Sequence, residues 1–128
     1  MHEVATSQSL ADAVLREAKK RNATRVLRVE VEIGELSFLE PEQVGFWVEL
    51  NLQGTIAERA ELDIKLVEPV VSCQECGYSG GIQVTEDPAY HFMLPTFQCP
   101  HCGSSRLKVE RGRECTLRRI ELELPGGP

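Results

Sequence analysis

The chain is poor in aromatic residues and in basic charge, and both shortages exclude functions. Aromatic side chains make up 5% of the 128 residues, and 14 Lys and Arg stand against 20 Asp and Glu, a formal net charge of −6. Proteins that bind nucleic acid or anionic membranes non-specifically need a basic face, and base-stacking platforms need aromatic rings. We therefore expect neither nucleic acid nor a membrane surface as a partner.

Long hydrophobic runs and a charged-then-apolar leader are also missing, so we expect no transmembrane helix and no secretory signal. The chain contains five cysteines, and four of them form two C-x-x-C pairs. Without a secretory signal, such pairs indicate metal ligands rather than disulfides, and a reducing compartment. The sequence predicts a small, acidic, cytoplasmic metal-binding protein.

Hydrophobic periodicity predicts two helices and three strands. Apolar residues from Val4 to Ala18 recur at helical spacing and predict a first helix over about 4–21. Pro41 suits the start of a second helix and Gly54 its end. The apolar stripe expected on that helix consists of Val44, Trp47, Val48 and Leu50 or Leu52. Alternation predicts three strands with inward residues Leu27, Val29, Val31 and Ile33; Leu62, Ile64 and Leu66; and Ile120, Leu122 and Leu124.

The order of these elements predicts an α+β fold. A strand, a crossover helix and a further strand imply a right-handed βαβ unit with parallel strands. Residues 69–112 have a different composition and contain the paired cysteines. We expect two helices on a mixed three-stranded sheet, formed by residues 1–68 plus 113–128, with residues 69–112 as an inserted zinc-ribbon-like domain. Such an insertion favours antiparallel pairing of the two strands that flank it.

The two C-x-x-C pairs predict one four-cysteine metal site. Cys73 and Cys76 form the first pair, and Cys99 and Cys102 the second; a glycine follows each pair. Four thiolates make a closed, redox-silent Zn²⁺ site with no open position for catalysis, and the metal supplies folding energy to a small insert. The alternative is a rubredoxin-like iron site for electron transfer. Cys115 lies outside both pairs, and we interpret it as a small buried hydrophobic residue.

The N-terminal residues offer a second, nitrogen-rich metal site. The α-amine of Met1, the amide nitrogen of His2 and Nδ1 of the His2 imidazole can close five- and six-membered chelate rings around one ion. The amide of Glu3, or its carboxylate, can complete a four-coordinate plane. Planar nitrogen coordination suits Ni²⁺ or Cu²⁺ better than zinc or magnesium.

Several short motifs, in order along the whole chain, resemble the HypA/HybF family. They are Met1-His2-Glu3, Ser9-Leu10-Ala11, Gly34-Glu35-Leu36, Pro41-Glu42, Gly54-Thr55, Glu58, Ala60, Leu62 and the two cysteine pairs. The resemblance implies a metallochaperone that carries nickel to [NiFe]-hydrogenase and has no enzymatic reaction of its own. It implies nickel at Met1, His2 and Glu3, and structural zinc at Cys73, Cys76, Cys99 and Cys102.

The resemblance also implies two partners, a nickel-handling GTPase and the hydrogenase large subunit. This chain has no G-x-x-x-x-G-K-[ST] loop, so nucleotide chemistry would belong to another protein. His91, in the segment before the second cysteine pair, is similar to a histidine that approaches the nickel in archaeal relatives, and is kept as a further candidate ligand beside the interpretation as a loop residue. The competing functions are a zinc-ribbon interaction module and a rubredoxin-like electron-transfer protein.

Overall fold

The computed structural model describes residues 2–82 and 97–126, and the chain divides into two compact units. The first comprises Met1–Glu32, Leu39–Lys65 and Cys115–Pro128, and the second comprises Ile33–Phe38 and Leu66–Glu114. The elements in chain order are α1 (His2–Lys20), β1 (Arg25–Gly34), a 3-10 turn (Glu35–Ser37), α2 (Pro41–Leu52), β2 (Glu61–Val67), β3 (Val70–Cys73), β4 (Ser79–Gly80), β5 (Leu107–Arg111) and β6 (Cys115–Glu123). The end of β1 therefore belongs to the second unit, and independent folding of residues 69–112 stays a prediction.

The first sheet has the strand order β2-β1-β6. Hydrogen bonds join Thr24 to Glu123 near one end and Gly34 to Glu114 near the other, so β1 and β6 are antiparallel. Val26 contacts Ile56, and further along both segments Arg28 contacts Asp63. Because residue numbers increase together on the two sides, β1 and β2 are parallel. The predicted mixed three-stranded sheet with two helices is confirmed.

The predicted pairing of the two strands that flank the cysteine-rich segment is wrong. These strands, β2 and β6, lie at opposite edges of the sheet, with β1 between them. Val26, Val29, Val31 and Ile33 of β1 are all almost fully buried, whereas β2 has no buried residue. β1 is the most buried of the three strands because a central strand is covered by neighbours on both edges as well as by the helices.

The predicted strand faces are correct except at their ends. Val29, Val31 and Ile33 point into the core, but Leu27 is 38% exposed and Val26 takes its place. The N–H of Val26 bonds to the carbonyl of Ile56, which lies before β2. Leu66 and Leu124, at or beyond strand ends, are also exposed.

The helix α1 begins at His2, two residues before the predicted start. Its buried side is formed by Glu3, Ser7, Leu10, Ala11, Val14 and Ala18, whereas Val4 is exposed. This side packs against α2, where Val44, Val48 and Leu52 are buried and Leu50 is exposed. Gly45 of α2 lies against the side chain of Ile64 in β2, which places α2 on the sheet.

The two helices run in the same direction. Glu3 contacts Glu40, and one helical turn later Ser7 contacts Val44. Because both contacts advance by four residues, the N-terminal ends of α1 and α2 lie side by side. No helix in residues 2–82 or 97–126 has the length and apolar character needed to cross a membrane.

The second unit is built on a three-stranded sheet of order β4-β3-β5, antiparallel throughout. Val71 of β3 is its buried centre. Residues from the end of β1 join this unit, because Gly34 donates to Glu114 and Leu36 donates to Gly112, each over 2.8 Å. These contacts attach residues 33–38 to the chain that follows β5.

Candidate metal sites

The four paired cysteines converge in the second unit. Their sulfur atoms all lie within 4.8 Å of one another, with Cys73 and Cys102 separated by 3.5 Å and Cys76 and Cys99 by 3.7 Å. In tetrahedral zinc coordination with Zn–S bonds of about 2.3 Å, neighbouring sulfurs are about 3.8 Å apart. The donor set and its spacing therefore fit one tetrahedral metal ion.

Each C-x-x-C pair forms the same tight turn. Gly77 donates to the carbonyl of Cys73, and Gly103 donates to the carbonyl of Cys99. Both glycines have φ close to +80°, a conformation that L side chains rarely adopt. The spacing of two residues and the following glycine thus bring both sulfurs of a pair to the same side of the turn.

Backbone N–H groups point at the sulfur atoms. The N–H of Glu75 donates to Sγ of Cys73, and the N–H of His101 donates to Sγ of Cys99. Such bonds stabilise a thiolate and also remain available when the sulfur binds a metal.

The surroundings of the cluster shift the pKa values of two of its cysteines in opposite directions. Backbone N–H groups of Cys76 and Glu75 bond to the sulfur of Cys73 and lower the pKa of this thiol to about 7. The N–H of Ser104 favours the thiolate of Cys102, but the neighbouring sulfurs and burial outweigh it and raise the pKa of Cys102 to about 12. Four thiolates this close together repel one another, so a divalent cation is the group that allows all four to ionise.

Three contacts join the first cysteine turn to the second half of this unit. The ring of Tyr78 stacks on His101 with centroids 5.9 Å apart and an angle of 18° between the planes. Arg106 pairs with Glu75 over 3.0 Å, and its carbonyl accepts the N–H of Gln74. His101 is exposed, and sequence reasoning missed its stacking on Tyr78.

Cys115 lies apart from the cluster, at the first position of β6. It is half-buried, and burial raises the pKa of its thiol. Both observations agree with its interpretation as a small apolar residue.

The N-terminal candidates occupy the first turn of α1. His2 is exposed, whereas Glu3 is buried and its Oε2 accepts the N–H of Glu40 over 3.1 Å. Burial disfavours the charged carboxylate, but interactions with the positively charged N-terminus, followed by backbone hydrogen bonds that include the one from Glu40, lower the pKa of Glu3. Met1 and His91, the other candidate nickel ligands, lie outside the described residues.

Sequence reasoning missed the buried roles of Glu3 and Ser7. Glu3 lies before the predicted start of the helix at residue 4. Ser7 lies within the predicted helix but is polar, so it was not counted on the apolar stripe. The available signal was their spacing, because residues 3, 7, 10, 11, 14 and 18 form one continuous helical face.

A sequence model of the family described as "Hydrogenase/urease nickel incorporation, metallochaperone, hypA" matches residues 1–122. The chain belongs to the HypA family. Hydrogenase maturation factor HypA of Methanothermobacter thermautotrophicus is 38% identical over 123 residues, covering 96% of this chain and 98% of that protein. The HypA protein of Methanopyrus kandleri is 36% identical, covering 98% and 96% of the two chains.

Solved HypA structures share the fold. The solution structure of the Ni metallochaperone HypA from Helicobacter pylori covers 95% of this chain and 97% of its own, with a TM-score of 0.65 and 24% identity. A second HypA solution structure gives a TM-score of 0.67. The family resemblance inferred from the sequence is confirmed, and the family function is that of a nickel metallochaperone in hydrogenase maturation.

Proposed function

We propose that this HypA-family chain binds Ni²⁺ at its N-terminus and delivers it to the large subunit of [NiFe]-hydrogenase. The match of the HypA model to residues 1–122 carries the proposal. The position of His2 supports it, because an exposed imidazole on the first residue of α1 is accessible both to a metal ion and to a recipient protein.

The first helical turn supplies nitrogen ligands that the fold does not use. The leading N–H groups of an α-helix have no acceptor within the helix. Nickel binding can therefore replace the amide proton of His2, which is released to solvent, without breaking a helical hydrogen bond. With the α-amine of Met1 and Nδ1 of His2, this amide forms two fused chelate rings in one plane.

Chelate geometry limits the fourth nickel ligand. The amide nitrogens of His2 and Glu3 belong to one five-membered ring, so they must be neighbours in the plane. If the Met1 amine and Nδ1 of His2 already occupy both positions next to the His2 amide, the remaining position lies opposite that amide. We propose that a group other than the Glu3 amide fills it, with the Glu3 carboxylate and His91 as the candidates.

We propose Zn²⁺ for the site of Cys73, Cys76, Cys99 and Cys102. The sulfur spacing of 3.5 and 3.7 Å supports a tetrahedral ion, and the four-cysteine set is typical of structural zinc. Such a closed site has no position for a transferable ion, so it serves the fold of the second unit while nickel is bound elsewhere.

The proposed partners are a GTPase of the maturation system and the hydrogenase large subunit, in the cytoplasm. The relatives are named hydrogenase maturation factors, which supports a role within an assembly pathway. The transfer step is tested by mixing nickel-loaded protein with metal-free large subunit and measuring which of the two contains nickel after separation.

The N-terminal site is tested by nickel titration of three untagged proteins: the wild type, a form extended by one residue before Met1, and His2→Ala. The extension converts the Met1 amine into an amide, and the substitution removes the imidazole. Both changes should abolish tight binding and the weak d–d absorption of planar Ni²⁺. Mass spectrometry of the untagged protein verifies that Met1 carries a free amine.

Gln8→Ala is the control, because Gln8 is an exposed residue of the same helix. It should bind nickel like the wild type. His2→Ala should keep its zinc and thermal stability, since an exposed terminal helix residue contributes little to packing. Equal nickel affinity in all of these proteins would overturn the proposed site.

A further inference from the structure

Glu3 connects the proposed nickel site to the start of α2. It belongs to the first turn of α1, its side chain is buried, and its Oε2 accepts the backbone N–H of Glu40 over 3.1 Å. Glu40 is the N-cap residue of α2, and its own side chain makes no capping hydrogen bond. The carboxylate of one helix therefore caps its neighbour.

The parallel arrangement of the helices explains why a buried anion is favourable here. Each helix carries a partial positive charge of about half an elementary charge at its N-terminal end. Contacts of Glu3 with Glu40 and of Ser7 with Val44 place both ends side by side, where their charges repel. A carboxylate at this position offsets the repulsion and satisfies one N–H that the helix leaves unpaired.

Glu3 affects the proposed nickel site in two ways: it holds the backbone next to His2 in place, and it adds a negative charge nearby. Its main chain follows directly on His2, and the hydrogen bond of its side chain to Glu40 holds this turn against α2. A divalent cation near two positive helix ends would be repelled without a nearby negative charge. The carboxylate supplies that charge without leaving Glu40.

We infer that Glu3 is a positioning residue for nickel, whose carboxylate stays on the N–H of Glu40 while His2 and the backbone bind the ion. This inference rests on the proposed N-terminal nickel site and removes the Glu3 carboxylate from its candidate ligands. The position opposite the His2 amide is then left to a ligand other than the Glu3 carboxylate.

The test compares Glu3→Gln and Glu3→Ala with the wild type. Glutamine keeps a carbonyl oxygen in the place of Oε2 that can accept the N–H of Glu40, whereas alanine removes the acceptor. Both substitutions remove the negative charge, so nickel affinity should fall in both, but it should fall about tenfold further in Glu3→Ala, which also loses the hydrogen bond to Glu40. If the carboxylate is a ligand, both variants lose binding to the same extent, and the inference is wrong.

A second measurement needs no variant. The amide proton of Glu40 should resonate downfield in the wild-type NMR spectrum and keep its position and its protection from exchange when diamagnetic Ni²⁺ binds. In Glu3→Ala it should move upfield. Loss of protection on nickel binding to the wild type would show that the carboxylate moves to the ion. Wild-type affinity in Glu3→Ala would equally exclude a positioning role.

The outcomes separate this inference from the proposed function. If the wild type binds no nickel, or binds it as well after N-terminal extension, the nickel site itself is wrong. If the wild type binds nickel through Met1 and His2 while both Glu3 variants fail equally, the site stands and only the role of Glu3 as a positioning residue fails.

Discussion

At the residue scale, two glycines are required for different physical reasons. Gly34 has φ −70° and ψ 136°, which any residue can adopt, but a Cβ there would collide with the backbone carbonyl of Gly112 and lie 2.8 Å from the amide nitrogen of Arg113. Gly54 has φ +77° with nothing within 4 Å of its Cβ position. The first position needs glycine for lack of space, and the second for backbone conformation.

Gly34→Ala should therefore be much more harmful than Gly54→Ala. Backbone atoms cannot rotate away as a side chain can, so we expect Gly34→Ala to lower the free energy of unfolding by about 3 kcal/mol or more. Gly54→Ala should cost about 1 kcal/mol, the penalty for a left-handed L residue. Urea unfolding measures both, and equal effects would contradict the close approach of Gly34 to Gly112.

At the element scale, the parallel pair of helices depends on polar as well as apolar contacts. Ser7 is fully buried, and its Oγ donates to the carbonyl of Val44 over 3.1 Å. Together with the contact of Glu3 one turn earlier, this hydrogen bond determines which turns of α1 lie against which turns of α2. Val14 and Ala18 form the apolar part of the same face. Such polar contacts near the start of a helix fix which turns face each other.

Ser7→Ala tests this register contact, with Ser9→Ala as the matched control. The two substitutions lie on the same helix and share any change in helix propensity, but Ser9 is exposed. We expect Ser7→Ala to be less stable than Ser9→Ala by about 1 kcal/mol, the net value of one buried hydrogen bond. The difference is measured by denaturant unfolding followed through the helical circular dichroism signal. The absence of any difference would mean that the hydrogen bond does not stabilise the helix pair.

At the scale of the whole molecule, stability is divided between two kinds of core. Both α-helices belong to the first unit, where the sheet and helices bury apolar side chains. In the second unit the buried residues include Val71 and two of the clustered cysteines, Cys73 and Cys99. Because a core of this size buries little apolar surface, we expect the second unit to depend on a bound metal ion for its folding energy.

Cys99→Ser should lose zinc and unfold the second unit while the helical signal at 222 nm is retained, because no α-helix lies in the described part of that unit. Removing zinc from the wild type with a chelator should have the same effect. Cys115→Ser is the control, since Cys115 lies outside the cluster, and should keep one zinc per chain. Elemental analysis and circular dichroism measure these outcomes. Full zinc content in Cys99→Ser would disprove the four-thiolate site.

The sequence by itself determined whatever depends on local pattern. The spacing of Cys73, Cys76, Cys99 and Cys102 was sufficient for the metal cluster, because each pair closes a tight turn whose geometry needs only two intervening residues and a glycine. Periodicity likewise located both helices and the inward residues of β1 from Val29 to Ile33, because burial on one face imposes a repeat on the chain.

Tertiary structure alone decided the features that depend on residues far apart in the chain. Periodicity carries no information about strand order, so β1 rather than β2 proved to be the neighbour of β6. The space around Gly34 is set by Gly112, and the burial of Glu3 by the N–H of Glu40. A polar residue enters a buried face only when a partner elsewhere satisfies its hydrogen bond, and that partner is brought to it only by the fold.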